Sequence, residues 1–158
     1  MTLELTSHDA DRLRRVLRDL LAQAEADSCL ICDQAGHVLV QLNLLDEDPL
    51  RVSALGAGVF AATRELARII GEDEFSTVLH QGDRRSILIE AVDEESLVVV
   101  LFTGDHKVGL VKLYAPAAAA AVRRVLTEAR NRSNTDGTSQ TRFELEDSKS
   151  IFGSSNAG

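Results

Sequence analysis

The sequence of 158 residues is poor in aromatic side chains, with no Trp, one Tyr and five Phe. Its core is therefore expected to be aliphatic, and a chain of this length buries enough surface to need neither disulfides nor metal. Positive charge is also scarce, because 17 Lys and Arg face 25 Asp and Glu, for a net charge of −8. That charge excludes a general nucleic-acid binder and argues against docking on anionic lipid.

Long apolar runs are lacking too. The stretch 108–122 is broken by Lys112 and Pro116 and is shorter than the roughly 20 residues that a bilayer requires. The first residues, Met1 to Glu4, are not basic and lead into no apolar signal core. We therefore expect a cytoplasmic protein without membrane insertion, whose two cysteines are reduced thiols.

No catalytic or metal-binding constellation can be recognised. Cys29 and Cys32 have CxxC spacing but fall in a predicted strand, where residues three apart point to opposite faces. The four His lie on separate predicted elements, and the chain contains no phosphate-binding loop, G-x-S-x-G or H-E-x-x-H motif. We expect neither an enzyme nor a bound metal or cofactor.

Hydrophobic spacing and turn residues predict the order α-β-β-α-β-β-β-α followed by a tail. This order corresponds to an α+β fold, a five-stranded antiparallel sheet flanked by helices. The predicted helices are 9–26, 49–70 and 106–130, and the predicted strands are 28–32, 37–42, 75–81, 84–92 and 96–103. The last strand is apolar throughout its centre and is expected to lie in the middle of the sheet.

Several residues predict where these elements begin and end. Ser7 or Asp9 is expected to cap the first helix, whereas Asp48, with Pro49 after it, begins the second and Gly71 ends it. Gly82-Asp83 is expected to form a two-residue hairpin turn. Pro116 is expected to kink or restart the third helix.

Composition divides the chain into a domain over 1–130, a flexible linker over 131–142 and an acidic-apolar tail over 143–158. The tail carries apolar residues near both ends and is expected to form a short helix on binding.

The second helix carries two stripes with 4-3-4-3 spacing. The apolar stripe is predicted to face the core and consists of Leu55, Val59, Ala62, Leu66 and Ile69. The other begins with three small residues and consists of Ala54, Gly58, Ala61, Glu65 and Arg68. Glycine inside a helix costs about 1 kcal/mol relative to alanine, so Gly56 and Gly58 suggest a purpose. The small stripe packs either on the protein's own sheet or on a partner, and the sequence leaves both alternatives open.

The element order and several segments resemble the roadblock (dynein light-chain-like) family, and within it the bacterial MglB type. The segments that carry the resemblance are 54–58, 61–62, 66–75, 80–82 and 108–113. The likeness spans 9–130, and the tail is also similar to the C-terminal segment of that type. Pro116 is a departure from the family pattern.

The resemblance implies a roadblock/longin-like homodimer that activates a Ras-like small GTPase of the MglA type, preferentially in its GTP-bound form. It implies no arginine finger, since the regulator positions the GTPase's own groups. It also implies a role in cell polarity and motility, at a cell pole. The implied dimer interface is Leu55, Val59, Ala62, Phe75, Val78 and Leu79. The implied GTPase-binding residues are Ala54, Gly58, Ala61, Glu65 and Arg68, with tail anchors Phe143, Leu145, Ile151 and Phe152.

Other functions stay open at this point, because the same fold can serve different functions. The main alternative is a roadblock scaffold that holds a GTPase or other partners without stimulating hydrolysis. A small-molecule sensor with a pocket beside the sheet is a further alternative.

Overall fold

The computed structural model describes the backbone of residues 3–153 and the side chains of residues 3–135. Each predicted helix and strand is present. The helices are α1 (Ser7–Ala24), α2 (Pro49–Ile70) and α3 (Val108–Gly153), with a short 3-10 turn at Asp105–Lys107. The strands are β1 (Ser28–Asp33), β2 (Val38–Leu42), β3 (Thr77–Gln81), β4 (Arg85–Ala91) and β5 (Ser96–Thr103).

The five strands form one sheet in the order β2-β1-β5-β4-β3, and every neighbouring pair is antiparallel. The apolar strand β5 is central and is buried from Ser96 to Phe102, as its composition predicts. The strand β3 lies at one edge and, within the described residues, is paired only with β4. The predicted fold class is therefore confirmed.

Two hydrophobic clusters hold the helices on opposite faces of the sheet. One contains Leu17, Ile31 and Val122 and fixes α1 and α3 on one face. The other contains Leu30, Phe60 and other apolar side chains and fixes α2 on the opposite face. Neighbouring residues of a strand point to opposite faces, so β1 alone supplies both clusters.

The two cysteines are buried thiols on opposite faces of β1, as predicted. Cys29 belongs to the cluster beneath α1 and α3, whereas Cys32 belongs to the cluster beneath α2. Burial raises the pKa of each thiol to about 12, so both are protonated at neutral pH and are poor nucleophiles. Among the residues with described side chains, no group of His, Cys, Asp and Glu is arranged to hold a metal ion.

The cap of α1 differs from the prediction. The capping residue is Thr6, not Ser7 or Asp9, because Asp9 serves as its partner three residues into the helix. The Asp9 N–H donates to the Thr6 hydroxyl oxygen at 3.1 Å, and the Thr6 N–H donates to the Asp9 carboxylate at 3.0 Å. This reciprocal pair is a capping box.

The ends of α2 follow the prediction. The Asp48 carboxylate accepts a hydrogen bond from the Leu50 N–H at 3.0 Å, and Pro49 occupies the first turn. Gly71 ends the helix with a left-handed backbone, at φ 79°.

The turn between β3 and β4 lies one residue later than predicted. The Gly82 N–H donates to the Arg85 carbonyl oxygen at 3.1 Å, so the residues at the tip are Asp83 and Arg84 rather than Gly82 and Asp83. The register of the hairpin, with Gln81 opposite Ser86, decides this position.

The third helix does not restart at Pro116, contrary to the prediction, but runs without interruption from Val108. Pro116 and Lys112 are both exposed, so the carbonyl group that proline leaves without a helical N–H partner lies on the solvent side. The helix also continues through 131–142, where composition predicted a flexible linker. The side chains of the tail, including Phe143, lie outside the described residues, and the division into domain and tail stays a prediction.

Two ion pairs join α1 to α3 near residue 130, where the third helix was predicted to end. Arg12 bonds to Glu128 at 2.6 Å, and Arg132 bonds to Asp9. The Asp9 side chain is buried. Burial alone raises its pKa, but hydrogen bonds from Thr6 and Arg132 hold the pKa of this carboxyl below its ordinary value.

We expect Asp9→Asn to destabilise the fold by roughly 1–3 kcal/mol near neutral pH, because it removes a buried carboxylate that pairs with the exposed Arg132 and weakens the cap. Since the folded pKa of Asp9 is lowered, its contribution is present above the unfolded pKa. The contribution is lost as pH falls through the folded pKa. Urea unfolding near pH 7 and near pH 3 measures both effects.

The matched control is Asp11→Asn, since Asp11 is exposed on the same helix and pairs with Arg14 at the surface. We expect a change within about 0.5 kcal/mol for this variant. Equal losses in the two variants would contradict the role assigned to Asp9.

Candidate functional site

The helix α2 packs on the sheet through small residues and one aromatic ring. Its buried residues are Ser53, Gly56, Ala57, Phe60 and Ala67. A Cβ atom at Gly56 would lie 3.5 Å from Val99 Cγ2, so glycine permits the helix to approach β5 closely.

The predicted core stripe of α2 is therefore wrong. Leu55, Leu66 and Ile69 are 69%, 58% and 76% exposed. Ala62 is exposed as well, and Val59 is half-buried. The physical reason is that α2 contacts the sheet through Gly56 and Phe60, so its larger aliphatic side chains point away from the sheet.

Polar contacts fix α2 in this orientation at both ends. The Ser53 hydroxyl donates to the Gly36 carbonyl oxygen at 2.6 Å. A Cβ atom at Gly36 would lie 2.9 Å from Ala54 Cα, so the β1–β2 turn touches the helix backbone. Further along, Arg64 donates to Gln34 Oε1 at 2.9 Å and to the Glu94 carbonyl oxygen at 3.0 Å.

The small stripe of α2 is exposed along its whole length, at Ala54, Gly58, Ala61, Glu65 and Arg68. A Cβ atom at Gly58 would meet nothing within 4 Å. The stripe does not pack on the protein's own sheet, which excludes one of the two alternatives left open by the sequence. At its end, Arg68 and Glu65 form an ion pair at 2.6 Å.

Together the two stripes form a broad apolar surface, which we call the α2 face. It consists of Ala54, Leu55, Gly58, Ala61, Ala62, Leu66 and Ile69, all exposed. Contiguous exposed apolar surface of this kind marks an interaction site in soluble proteins.

An open groove of about 430 Å³ lies beside α2. It exists because α2 packs mainly on β1, β2 and β5, which leaves the β4 side of this sheet face uncovered. Apolar residues that line it include Leu55, Val59, Ile87 and Ile89. The loop before α2 closes one end, where Glu47 bonds to Arg85 at 2.6 Å.

The edge strand β3 borders the same region. Val78 packs against the cluster on the α2 side, whereas Leu79 packs against the cluster on the opposite side of the sheet. Phe75, just before β3, is half-buried. The structure therefore places Leu55, Val59 and Val78 on one side of the sheet, separate from Leu79.

Comparison with known proteins now gives the family. The sequence pattern of the Roadblock/LC7 domain matches residues 13–102, more than half of the chain. The chain belongs to the Roadblock/LC7 family. The resemblance to the roadblock family, drawn from the element order and the segments named above, is therefore confirmed.

This roadblock protein is similar in structure to several MglB proteins. The gliding protein MglB of Thermus thermophilus is 30% identical, with 80% of this chain and 97% of that chain covered and a TM-score of 0.73. An MglB in a tetrameric arrangement is 32% identical, with 81% and 97% covered and a TM-score of 0.75. Myxococcus xanthus MglB is 25% identical, with 80% and 96% covered and a TM-score of 0.73. The likeness supports the predicted MglB type.

Sequence reasoning missed some residues of this surface in the roadblock protein. Ile87 and His80 line the groove, and Ile70, next to the apolar stripe, is 64% exposed. The available signal was the width of the apolar surface on α2, since two adjacent stripes exceed what one contact with a sheet requires.

Within the described part of the chain, no helix is long and apolar enough to cross a bilayer.

We expect a second copy to cover the apolar stripe of α2 at Leu55, Val59 and Ala62, so that Leu55→Arg converts a dimer into a monomer at micromolar concentration. Light scattering would then change from twice 17.1 kDa to 17.1 kDa. Leu55 lies largely in water in the single chain, so the fold itself should persist.

The matched control is Leu113→Arg, because Leu113 is 64% exposed on α3, on the other side of the sheet. This variant should remain dimeric. A monomeric parent protein, or a dimeric Leu55→Arg variant, would contradict the expectation.

Proposed function

We propose that the protein is a homodimeric regulator of a Ras-like small GTPase of the MglA type. In this proposal it binds the GTP-bound form and stimulates hydrolysis without an arginine finger of its own. The observation that carries the proposal is the exposed α2 face beside the free edge of β3. The likeness to MglB proteins supports it. Cell polarity and motility are the processes that the resemblance attaches to this activity.

The dimer follows from two unsatisfied surfaces that lie close together. The outer edge of β3 has no strand beside it in the described chain, and edge-to-edge pairing with a second copy would satisfy its backbone groups. Two-fold pairing of β3 would also bring the two α2 helices together, so that each covers apolar side chains such as Leu55 of the other.

The small stripe is the proposed docking surface for the GTPase. Ala54, Gly58 and Ala61 leave a smooth helix surface, and the Glu65–Arg68 ion pair adds a polar end. Small residues permit another backbone to approach a helix closely. The stripe continues from one helix to its symmetry mate in the proposed dimer, so one GTPase could contact both.

The arginines of α2 bear on whether the protein supplies an arginine finger. Arg64 is held by Gln34 and the Glu94 carbonyl, so it would lose these bonds on reaching a nucleotide. Arg68 pairs with Glu65 at the surface, and an exposed ion pair restrains it little. Arg51 lines the groove, so Arg51 and Arg68 are the arginines of α2 that remain to be tested.

The direct test is single-turnover GTP hydrolysis by the Ras-like GTPase of the same genome, with and without this protein in twofold excess. A faster rate that survives both Arg51→Ala and Arg68→Ala supports the proposal. A faster rate lost in either variant while binding persists would indicate an arginine finger after all. Stable binding to the GTP form without a faster rate would indicate the scaffold alternative, and no binding would refute the GTPase partner.

Within the same assay, Ala61→Arg is expected to abolish both binding and stimulation while the dimer persists, because a long charged side chain disrupts the smooth stripe. Ala22→Arg is the matched control, since Ala22 is exposed on α1 in the layer opposite α2. Unchanged GTPase binding by Ala61→Arg would refute the docking surface.

The tail is proposed to add affinity for the GTPase by raising the effective concentration of its apolar anchors. Deleting 136–158 keeps Arg132 and its ion pair with Asp9, so the domain should stay intact. We expect GTPase binding to weaken by roughly tenfold or more, with nucleotide exchange as a second measurement.

A full-length variant with Phe143, Leu145, Ile151 and Phe152 changed to Ser should reproduce the deletion. Affinity and nucleotide exchange that are unchanged in both variants would refute the role of the tail.

A further inference from the structure

The strand β4 carries a buried carboxyl group next to the edge strand. Glu90 is only 4% exposed, and it lies between Leu88 and Val92, which both belong to the cluster beneath α1 and α3. Opposite it in the sheet are Val98 on β5 and Thr77 on β3. The Thr77 hydroxyl donates to Glu90 Oε2 at 2.6 Å.

The surroundings of Glu90 hold no charge that compensates it within the described side chains. The β3 and β5 residues nearest on its face are Thr77, Leu79, Val98 and Val100, and none of them titrates. The helices α1 and α3 contribute apolar residues to the same cluster, among them Leu13, Leu17, Ala115, Ala118, Ala119 and Val122.

The titratable groups near this cluster are engaged or neutral. Arg123 of α3 donates through Nε to the Val92 carbonyl oxygen at 2.6 Å, and Asp9 of α1 is paired with Arg132. Cys29, on the same sheet face, keeps its proton at neutral pH because burial raises its pKa to about 12. Tyr114 of α3 packs at the margin of the cluster.

We propose that Glu90 makes the attachment of β3 to the sheet depend on pH. With the carboxyl group neutral, β3 stays closed over it. When the group loses its proton, the buried charge favours opening of β3, because only β3 separates Glu90 from the free edge of the sheet. Loss of the proton would then also weaken the pairing of a second copy with β3, and this consequence rests on the dimer proposed above.

The sign of the effect follows from the environment. Burial raises the pKa of Glu90, and the Thr77 hydrogen bond offsets part of that increase. A raised folded pKa means that stabilisation is complete below the unfolded value, about 4.3. Stabilisation is lost as pH rises through the folded value. Between the two values, the ratio of closed to open β3 changes by up to about tenfold per pH unit.

Amide hydrogen exchange of 77–81 in the full chain, from about pH 4 to pH 8, tests the proposal, since the fall begins near the unfolded pKa. Protection factors corrected for intrinsic exchange should fall with rising pH in the parent protein and stay level in Glu90→Gln. Glu94→Gln is the matched control, since Glu94 is exposed in the adjoining turn and its loss changes the charge equally. Glu94→Gln should keep the parent profile.

Thr77→Val separates titration from a purely structural role. Loss of the hydroxyl donor raises the pKa of Glu90 further, so the fall in protection, which begins near the unfolded pKa, should continue to higher pH. Uniformly lower protection at every pH would overturn the proposal, as would a Glu90→Gln profile that follows the parent. The Thr77→Val variant keeps the test decisive if Glu90→Gln fails to fold.

The dimer dissociation constant supplies a second measurement. It should increase with pH in the parent protein and not in Glu90→Gln, and an unchanged constant across this range would overturn the dimer part of the proposal. A chain that is monomeric at every pH would instead refute the dimer, and the exchange profile would then decide the role of Glu90 by itself.

Discussion

One helix cannot cover one face of a five-stranded sheet. An α-helix is about 10 Å across with its side chains, whereas five strands spaced about 4.8 Å apart extend over about 19 Å. On one face the protein uses two helices, α1 and α3, and that face is closed. On the other it uses α2 alone, seated over β1, β2 and β5. Because α2 is too narrow to cover this face, the groove beside it and one side of β3 are left uncovered.

The position of α2 decides which of its side chains are available to a partner. Gly56 and Ala57 let the helix approach the sheet, Phe60 fills the space beneath it, and Arg64 and Ser53 hold its two halves. With the buried side built from small residues and one ring, the larger aliphatic residues lie in water. Such a surface is costly for an isolated chain and is explained by association.

The sheet face beneath α1 and α3 contains a buried carboxyl group in an otherwise apolar cluster. Glu90 is buried without a cation in the described part of the chain, which costs free energy when the group is charged. A carboxyl group retained at such a place beside an unpaired strand links protonation to the strand that the proposed dimer uses. Unusual burial of a titratable group is a recognised mark of function.

Local sequence determined the order of elements and many of their ends. Asp48, Pro49 and Gly71 fixed α2, and the apolar composition of 97–102 placed β5 at the centre of the sheet, because caps, turns and burial on both faces are read from short segments. The turn at Asp83-Arg84 was misplaced by one residue. The Thr6 cap was misplaced by one or three residues, because Ser7 and Asp9 offer the same capping chemistry. Strand periodicity also separated Cys29 from Cys32.

Only the tertiary structure decided which side of α2 faces the sheet. Both stripes that periodicity singles out are largely exposed, and the side that approaches the sheet is a third one, with Gly56, Ala57 and Phe60. The answer depends on contacts between distant segments, Gly56 with Val99 and Gly36 with Ala54. The contact of Arg132 on α3 with Asp9 on α1 likewise joins residues more than a hundred positions apart in the chain. The sequence determined the elements through local chemistry, and long-range packing determined the exposed surface.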